Sequence, residues 1–124
     1  MSVLFVEYPK CGTCRKARKW LEQQVIGFDS RHIVEKPPQS KELKLWWQRS
    51  GLPLKKFFNT SGVLYKKLSL KDKLGRMSEE EQLELLASDG MLVKRPLLIA
   101  SDFVLVGFNA GQWESSLRQT HKKP

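Results

Sequence analysis

The period of the hydrophobic positions changes along the chain, and the changes predict where strands and helices lie. An apolar run from Val3 to Tyr8 predicts a buried first strand that stops at Pro9. Between residue 13 or 14 and about residue 24, apolar side chains recur every three or four positions with charged residues between them. This spacing predicts an amphipathic helix, and Gly27 follows it as a helix-stop signal.

The middle of the chain has mainly helical patterns. The predicted segments are a weaker strand over residues 28–34, helices over residues 40–51 and 54–58, and a turn cluster over residues 59–62. Ser40 is a candidate N-cap. Ser78 and Glu81 have the spacing of a capping box, which predicts a further helix that runs to about residue 89.

Two short apolar runs near the end of the chain predict a hairpin. They cover Leu97 to Ala100 and Phe103 to Val106, joined by a two-residue turn, and a last helix is predicted from about Ala110 to Leu117. A strand–helix–strand unit followed by a hairpin predicts a mixed four-stranded sheet with flanking helices. This is an α/β arrangement of the thioredoxin-like or glutaredoxin-like kind, with a helical insertion, and residues 1–124 are predicted to form a single domain.

Composition narrows the classes of partner. No segment is long and apolar enough to span a bilayer, and the N-terminus lacks the pattern of a signal peptide, so we expect a cytoplasmic protein with no membrane partner. The 22 Lys and Arg against 13 Asp and Glu give a net charge of +9. That excess favours small oxyanions, acidic proteins or nucleic acid, or it is simply a solvated basic surface. Because the basic residues are scattered and no nucleic-acid-binding motif is present, direct nucleic-acid binding is not expected.

The candidate chemistry lies at Cys11 and Cys14, between the first strand and the first helix. A thiol at a helix N-terminus beside Lys10, Arg15 and Lys16 favours its thiolate form. Cys14 stands about one helical turn further on and is expected to be tucked into the helix, where it can attack a mixed disulfide on Cys11. Cys11 is therefore the predicted nucleophile, and Cys14 the predicted resolving thiol.

Other interpretations of the two cysteines fit less well. A zinc site needs four ligands, and the two histidines lack the spacing to supply the missing pair, so no metal and no bound cofactor are expected. An inert buried pair is the remaining alternative, although a basic loop at a helix start is an unusual setting for inert thiols.

A second candidate site is Arg95–Pro96. In thioredoxin-like folds a cis-proline faces the reactive thiol, and a proline before a short strand can take that form. Arg95 could then hold an oxyanion through paired hydrogen bonds. The plainer interpretation is a strand-initiating proline after a surface arginine.

The motifs together resemble the family that contains the glutaredoxin-coupled arsenate reductases and the Spx transcription regulators. The markers are Pro9-x-Cys11-x-x-Cys14-Arg15-Lys16-Ala17, Glu35-x-Pro37-Pro38, Lys55 to Asn59, Lys94-Arg95-Pro96-Leu97 and Val106-Gly107-Phe108-Asn109.

The reductase resemblance implies that Cys11 attacks an oxyanion, with Arg95 as a catalytic arginine. It implies substrate binding by Gly12, Thr13, Arg15 and Pro96, and glutathione, glutaredoxin or another thiol reductant as the electron donor. The chain departs from that pattern at two positions, because the reductases carry arginines where Asn59 and Phe108 stand.

The Spx resemblance implies an alternative function. In Spx the cysteine pair is a redox switch, and the protein binds the α-subunit of RNA polymerase. This chain shares the pair and the segment Val106-Gly107-Phe108-Asn109. Its Trp46-Trp47 and Lys55 to Phe58 stretches differ from the partner-binding helix of Spx.

Overall fold

The computed structural model describes residues 3–24 and 26–121, which form four strands and six α-helices. The strands are β1 (Leu4–Glu7), β2 (Asp29–His32), β3 (Leu97–Ile99) and β4 (Val104–Val106). The helices are α1 (Gly12–Gln23), α2 (Ser40–Ser50), α3 (Val63–Lys67), α4 (Leu70–Lys73), α5 (Glu79–Ser88) and α6 (Ala110–His121). Short 3₁₀ helices cover Leu54–Phe57, Leu74–Arg76 and Gly90–Leu92.

The four strands form one mixed sheet in the order β2-β1-β3-β4. β3 is antiparallel to β1 on one side and to β4 on the other. β1 and β2 are joined through α1, the kind of connection that parallel neighbours require. The sheet confirms the predicted thioredoxin-like arrangement, with helices between its two halves.

One face of the sheet carries a hydrophobic core. Phe5, Leu98 and Leu105 stand opposite one another on β1, β3 and β4, so their side chains share this face. The helices α1 and α6 cover the face with the buried side chains of Ala17, Leu21, Trp113 and Leu117. Because α1 is packed along β1 in this way, the first turn of α1 is held close to the carboxyl end of β1.

The chain divides into two compact units. One contains the described residues up to Arg31 together with those from Arg95 onward, and the other contains His32–Lys94. The second unit is the predicted helical insertion, in which α2 packs against α5. The longest helices, α1 and α6, have 12 residues each, and no helix in the described part of the chain is long and apolar enough to cross a membrane.

The element boundaries correct several predictions. Each strand is one to three residues shorter than its apolar run, and the Ala100 N–H donates to the Phe103 carbonyl at 2.9 Å across the hairpin turn. The first helix begins at Gly12, earlier than predicted, and α6 continues to His121. The N-cap of α2 is Gln39, not Ser40, because the Glu42 side chain accepts from the Gln39 N–H at 3.0 Å.

Other local signals are confirmed. Ser78 and Glu81 form the capping box of α5, with bonds of 2.9 and 3.1 Å in the two directions. The first helix after β2 ends at Gly51, whose φ of 70° is readily adopted only by glycine. The short helices α3 and α4 have no counterpart in the predicted segments.

Candidate functional site

The position of Cys11 follows from how β1 ends. After Glu7 the chain leaves the sheet and turns, and the turn is closed by a bond from the Cys11 N–H to the Tyr8 carbonyl at 2.9 Å. Cys11 has an extended backbone and is the N-cap of α1, where its carbonyl accepts the Arg15 N–H at 3.0 Å. The half-exposed thiol therefore lies at the first turn of the helix, among backbone N–H groups that have no partner within the helix.

These surroundings favour the charged form of the Cys11 thiol. Burial raises the pKa of Cys11, but hydrogen bonds from the backbone and thiol of Cys14 and from the Thr13 N–H outweigh it, and the charge of Arg95 acts in the same direction. The net effect lowers the pKa of Cys11 below its ordinary value. The groups that lower the pKa of Cys11 most are thus the Cys14 backbone and thiol and the Thr13 backbone, and Arg95 supplies the positive charge. The sequence suggested Lys10, Arg15 and Lys16 instead.

Cys14 has the opposite environment. It lies on the same face of α1 as Ala17 and Leu21, and its side chain is 0% exposed. The backbone N–H of Tyr8 donates to its Sγ at 3.5 Å. Burial raises the pKa of Cys14 to about 12; the bond from Tyr8 opposes this, and the neighbouring Cys11 adds to it. Both thiols are free in this structure, one half-exposed with a lowered pKa and the other buried with a raised pKa.

Arg95 lies beside the two thiols, and Pro96 follows it in the chain. The Arg95–Pro96 peptide bond is cis, and Pro96 is buried. The Arg95 guanidinium carbon lies 5.2 Å from the centre of the Tyr8 ring, and its charge lowers the pKa of both thiols. The carbonyl of Pro96 accepts the Gly107 N–H at 2.8 Å, which ties the loop before β3 to the residue that follows β4.

The other residues predicted to bind substrate are in the first turn of α1. Gly12, Thr13 and Arg15 are all exposed, and the space where a side chain would lie at Gly12 is open. Thr13 acts on the Cys11 thiol through its backbone N–H. The structure thus groups Cys11, Cys14 and Arg95 with this exposed turn, and Pro96 adjoins Arg95 in the chain.

The two departures from the reductase pattern have structural roles of their own. The Phe108 ring packs edge-on against Trp113, with 5.0 Å between ring centres. Asn59 lies in the other compact unit, where its N–H donates to the Leu92 carbonyl at 2.8 Å and its Oδ1 accepts from Ser61 at 3.3 Å.

Sequence reasoning missed two features beside the thiols. Tyr8 contacts three site residues, through its N–H, its carbonyl and its ring. Glu7 is a carboxylate in an apolar strand, only 4% exposed, and is paired with Arg18 of α1. The available signal was the strand alternation, which puts Glu7 on the same buried face as Phe5 and calls for a cationic partner.

Within the described residues, no three His, Cys, Asp or Glu side chains lie close enough together to hold a metal ion.

The fold and the paired thiols define a thioredoxin-like protein with its cysteines at the start of the first helix. The chain belongs to the ArsC family, whose sequence pattern matches residues 6–116.

Three relatives are similar over most of their length. YusI of Bacillus subtilis is 59% identical over 116 residues, which cover 94% of this chain and 98% of YusI. The regulatory protein MgsR of Bacillus subtilis is 32% identical, covering 87% of this chain and 84% of MgsR. The global transcriptional regulator Spx of Enterococcus faecalis is 32% identical, covering 82% of this chain and 75% of Spx.

Solved structures show the same fold. A protein described as related to the ArsC family, from Bacteroides fragilis, superposes with a TM-score of 0.90 at 56% identity, covering 93% of this chain and 97% of that one. A possible arsenate reductase from Streptococcus mutans superposes with a TM-score of 0.81 at 47% identity, covering 86% and 91%.

Proposed function

We propose that this protein is a thiol–disulfide redox protein in which Cys11 attacks and Cys14 resolves. The observation that carries the proposal is the opposite state of two thiols within one helical turn. Cys11 is half-exposed with a lowered pKa, whereas Cys14 is buried with a pKa raised to about 12. Only the thiolate is nucleophilic, so Cys11 reacts first. A reversible dithiol suits the reducing cytoplasm, where we expect the protein to act.

The first step forms a mixed disulfide. The Cys11 thiolate attacks one sulfur of a substrate disulfide, a bond forms between Cys11 Sγ and that sulfur, and the other sulfur leaves as a thiolate. Because the attacking thiolate is held by the N–H groups of Thr13 and Cys14, it stays accessible while its charge is stabilised.

The second step depends on the loss of charge at Cys11. In the reduced protein the Cys11 thiolate raises the pKa of Cys14 through both charge and a hydrogen bond, in addition to burial. Once Cys11 is in a mixed disulfide, those two contributions vanish, while the Tyr8 N–H and the Arg95 charge still favour a Cys14 thiolate. Cys14 then loses its proton to solvent and attacks Cys11 Sγ. The Cys11–Cys14 disulfide forms, a second thiolate leaves, and two electrons have passed to the substrate.

An external thiol must return the disulfide to the dithiol. Glutathione, glutaredoxin or another thiol reductant is the proposed donor, in keeping with the family. A small oxyanion such as arsenate is a further proposed substrate, supported by the Streptococcus mutans relative and by the position of Arg95 near Cys11.

A second candidate function is redox-sensing transcription regulation. The similarity to MgsR and to Spx across most of the chain favours it. The same disulfide would then be the signal rather than a catalytic intermediate, and the α-subunit of RNA polymerase would be the partner. A pull-down of that subunit by reduced and by oxidised protein tests this alternative. Binding that does not depend on the oxidation state, or no binding, argues against it.

Differential labelling tests the main proposal. Iodoacetamide at mildly acid pH, followed by peptide mass spectrometry, should alkylate Cys11 before Cys14. Diamide should remove both free thiols without forming a dimer, and dithiothreitol should restore both. Cys11→Ser and Cys14→Ser are matched controls, and each should give only intermolecular or mixed disulfides. First labelling of Cys14, or oxidation of the unmodified chain to dimers only, would contradict the two-thiol mechanism.

A further inference from the structure

A partly buried ion pair, in which only the carboxylate is fully buried, joins the last residue of β1 to the second turn of α1. Arg18 donates from its Nε to Glu7 Oε1 at 3.2 Å and from a second guanidinium nitrogen to Glu7 Oε2, so the contact is bidentate. The Arg18 guanidinium also lies over the Phe5 and Phe28 rings, with its central carbon 5.8 and 5.5 Å from their centres. The hydrogen bond to Glu7, opposed by burial, raises the pKa of Arg18, which therefore remains a cation.

Each member of the Glu7–Arg18 pair is close in the chain to a residue of the contact between Tyr8 and the resolving thiol of Cys14. Glu7 precedes Tyr8, whose N–H donates to Cys14 Sγ at 3.5 Å. Arg18 follows Cys14 by four residues, so the two side chains lie on the same side of α1, one turn apart. Glu7 and Tyr8, at and just after the end of β1, thus contact two consecutive turns of α1: Glu7 binds Arg18, and Tyr8 binds Cys14.

We propose that Glu7 and Arg18 are positioning residues for the resolving thiol, because their bidentate contact holds the Tyr8 N–H against Cys14 Sγ. A bond of 3.5 Å to sulfur is easily lost when the donor moves, since the Tyr8 peptide lies just beyond the end of the sheet ladder. The neighbouring ion pair fixes that peptide relative to the helix. If the bidentate contact between Glu7 and Arg18 is removed, the Tyr8 N–H moves away from Cys14 Sγ. The Cys14 thiolate then loses the backbone donor that stabilises it. This inference rests on the proposed function only in requiring Cys14 to attack a mixed disulfide on Cys11.

An aromatic disulfide, 5,5′-dithiobis(2-nitrobenzoic acid), separates the two steps. The Cys11 thiolate attacks it and releases one coloured thiolate in a phase whose rate depends on reagent concentration. Cys14 then attacks Cys11 Sγ and releases the second coloured thiolate in a phase that does not depend on it. Glu7→Gln keeps the side-chain shape but removes the charge and turns an amide donor towards the guanidinium. We expect it to slow the second phase by about two- to twelvefold, the equivalent of one hydrogen bond, and to change the first phase less.

Arg18→Lys is the second variant, because it keeps the charge and removes the planar fork. It should slow the second phase selectively as well, which keeps the test decisive if Glu7→Gln fails to fold. The matched control is Glu114→Gln, which breaks the exposed Glu114–Arg118 pair on α6 and should leave both phases unchanged.

The outcomes separate this inference from the proposed function. If the unmodified protein shows no second phase, Cys14 does not resolve and the proposed function fails. If the second phase is present but keeps its rate in folded Glu7→Gln and Arg18→Lys proteins, even at a lowered melting temperature, the pair is structural only. Equal slowing of both phases would also overturn the inference, because the effect would then not be specific to Cys14.

Discussion

The guanidinium carbon of Arg95 lies 5.2 Å from the centre of the Tyr8 ring, so the cation is stacked over the residue that follows the first strand. The same residue accepts the Cys11 N–H through its carbonyl and donates its own N–H to Cys14 Sγ. Arg95, which is distant in sequence, is thereby held beside both thiols. Its charge favours the thiolate form of each.

Removing the Arg95 charge should raise the pKa of Cys11. Arg95→Ala deletes the cation, whereas Arg95→Lys keeps it, so the alanine variant should raise the pKa and the lysine variant should leave it nearly unchanged. The increase should be small, because the hydrogen bonds from Cys14 and Thr13 contribute more than Arg95 does. The thiolate ultraviolet absorbance of reduced protein as a function of pH measures both variants.

Arg15→Ala is the matched control for this titration. Arg15 is exposed in the first turn of α1 and is not among the groups that most strongly shift the pKa of Cys11. It should therefore have less effect than Arg95→Ala. An Arg95→Ala protein whose Cys11 titrates as in the unmodified chain would show that this cation does not act on the thiol.

Cys14 should make the reduced protein less stable at alkaline pH. Its pKa is raised from 9.0 to about 12, so between these values the unfolded chain has lost the thiol proton while the native protein keeps it. The unfolded state then binds fewer protons, and the free energy of unfolding falls as the pH rises. The Cys11 pKa is lowered below 9.0, so its contribution has the opposite sign and is gained as the pH approaches that value.

Denaturant unfolding of the reduced protein at a series of pH values measures this dependence. Above about pH 9 the unmodified chain should lose stability more steeply than Cys14→Ala, because only the former carries the buried protonated thiol. Parallel curves for the two proteins would mean that the native Cys14 thiol ionises as readily as an unfolded one.

Arsenate turnover should be slow in the unmodified protein. The resemblance drawn from the sequence puts Phe108 and Asn59 where the arsenate reductases would carry arginines, and the Phe108 ring packs against Trp113. A hydrogen bond to a charged group contributes about 1.5–3 kcal/mol, so each absent guanidinium should lower kcat/KM by about tenfold or more. Coupled NADPH oxidation with arsenate, glutathione and glutaredoxin measures the rate.

Arg95 variants extend the arsenate test. Arg95→Lys should reduce the rate, because lysine lacks the planar pair of donors, and Arg95→Ala should reduce it further. Cys11→Ser should abolish turnover and is the blank for the assay. A rate equal to that of the arginine-bearing reductases would show that the oxyanion site lies elsewhere.

Duplex DNA should bind weakly and lose affinity steeply as salt rises. The net positive charge is concentrated in one segment, which corrects the expectation that the basic residues are scattered. Residues 36–76 hold eleven of the 22 basic residues and two of the 13 acidic ones, which gives +9, and the rest of the chain is balanced. Such a segment makes non-specific phosphate contacts. Fluorescence anisotropy with two unrelated duplexes at several salt concentrations measures this, and sequence-selective binding at physiological salt would contradict it.

The sequence by itself predicted most of the order of elements and the position of the two cysteines at the start of α1. The change from apolar runs to a spacing of three and four residues predicted β1, α1 and the hairpin, because strands and helices bury side chains with different periods. The capping box at Ser78 and Glu81 is local chemistry and was predicted with its partners. The sequence also predicted that Cys14 is tucked into the first helix, and the structure buries it on the helix face of Ala17 and Leu21.

The ends of elements and the short helices were predicted less well. Gln39 rather than Ser40 caps α2 because a side chain three residues later reaches back to it, and both residues are compatible with the pattern. The helices α3 and α4 are only five and four residues long, too short for an apolar period to appear.

The fold expected from the sequence made Arg95 a candidate at the site, but only the tertiary structure decided which groups Arg95 and the thiols contact. Arg95 reaches Tyr8 because β3 lies beside β1 in the sheet, a neighbour relation between segments about ninety residues apart that no local pattern encodes. The pairing of Glu7 with Arg18 likewise required α1 to pack along β1, so that a buried carboxylate met a cation from another element. Hydrophobic periodicity and helix capping depend on residues close together in the chain, so they can be predicted from the sequence. The pKa of each thiol depends instead on burial and on charges that come together only when the sheet and its helices pack.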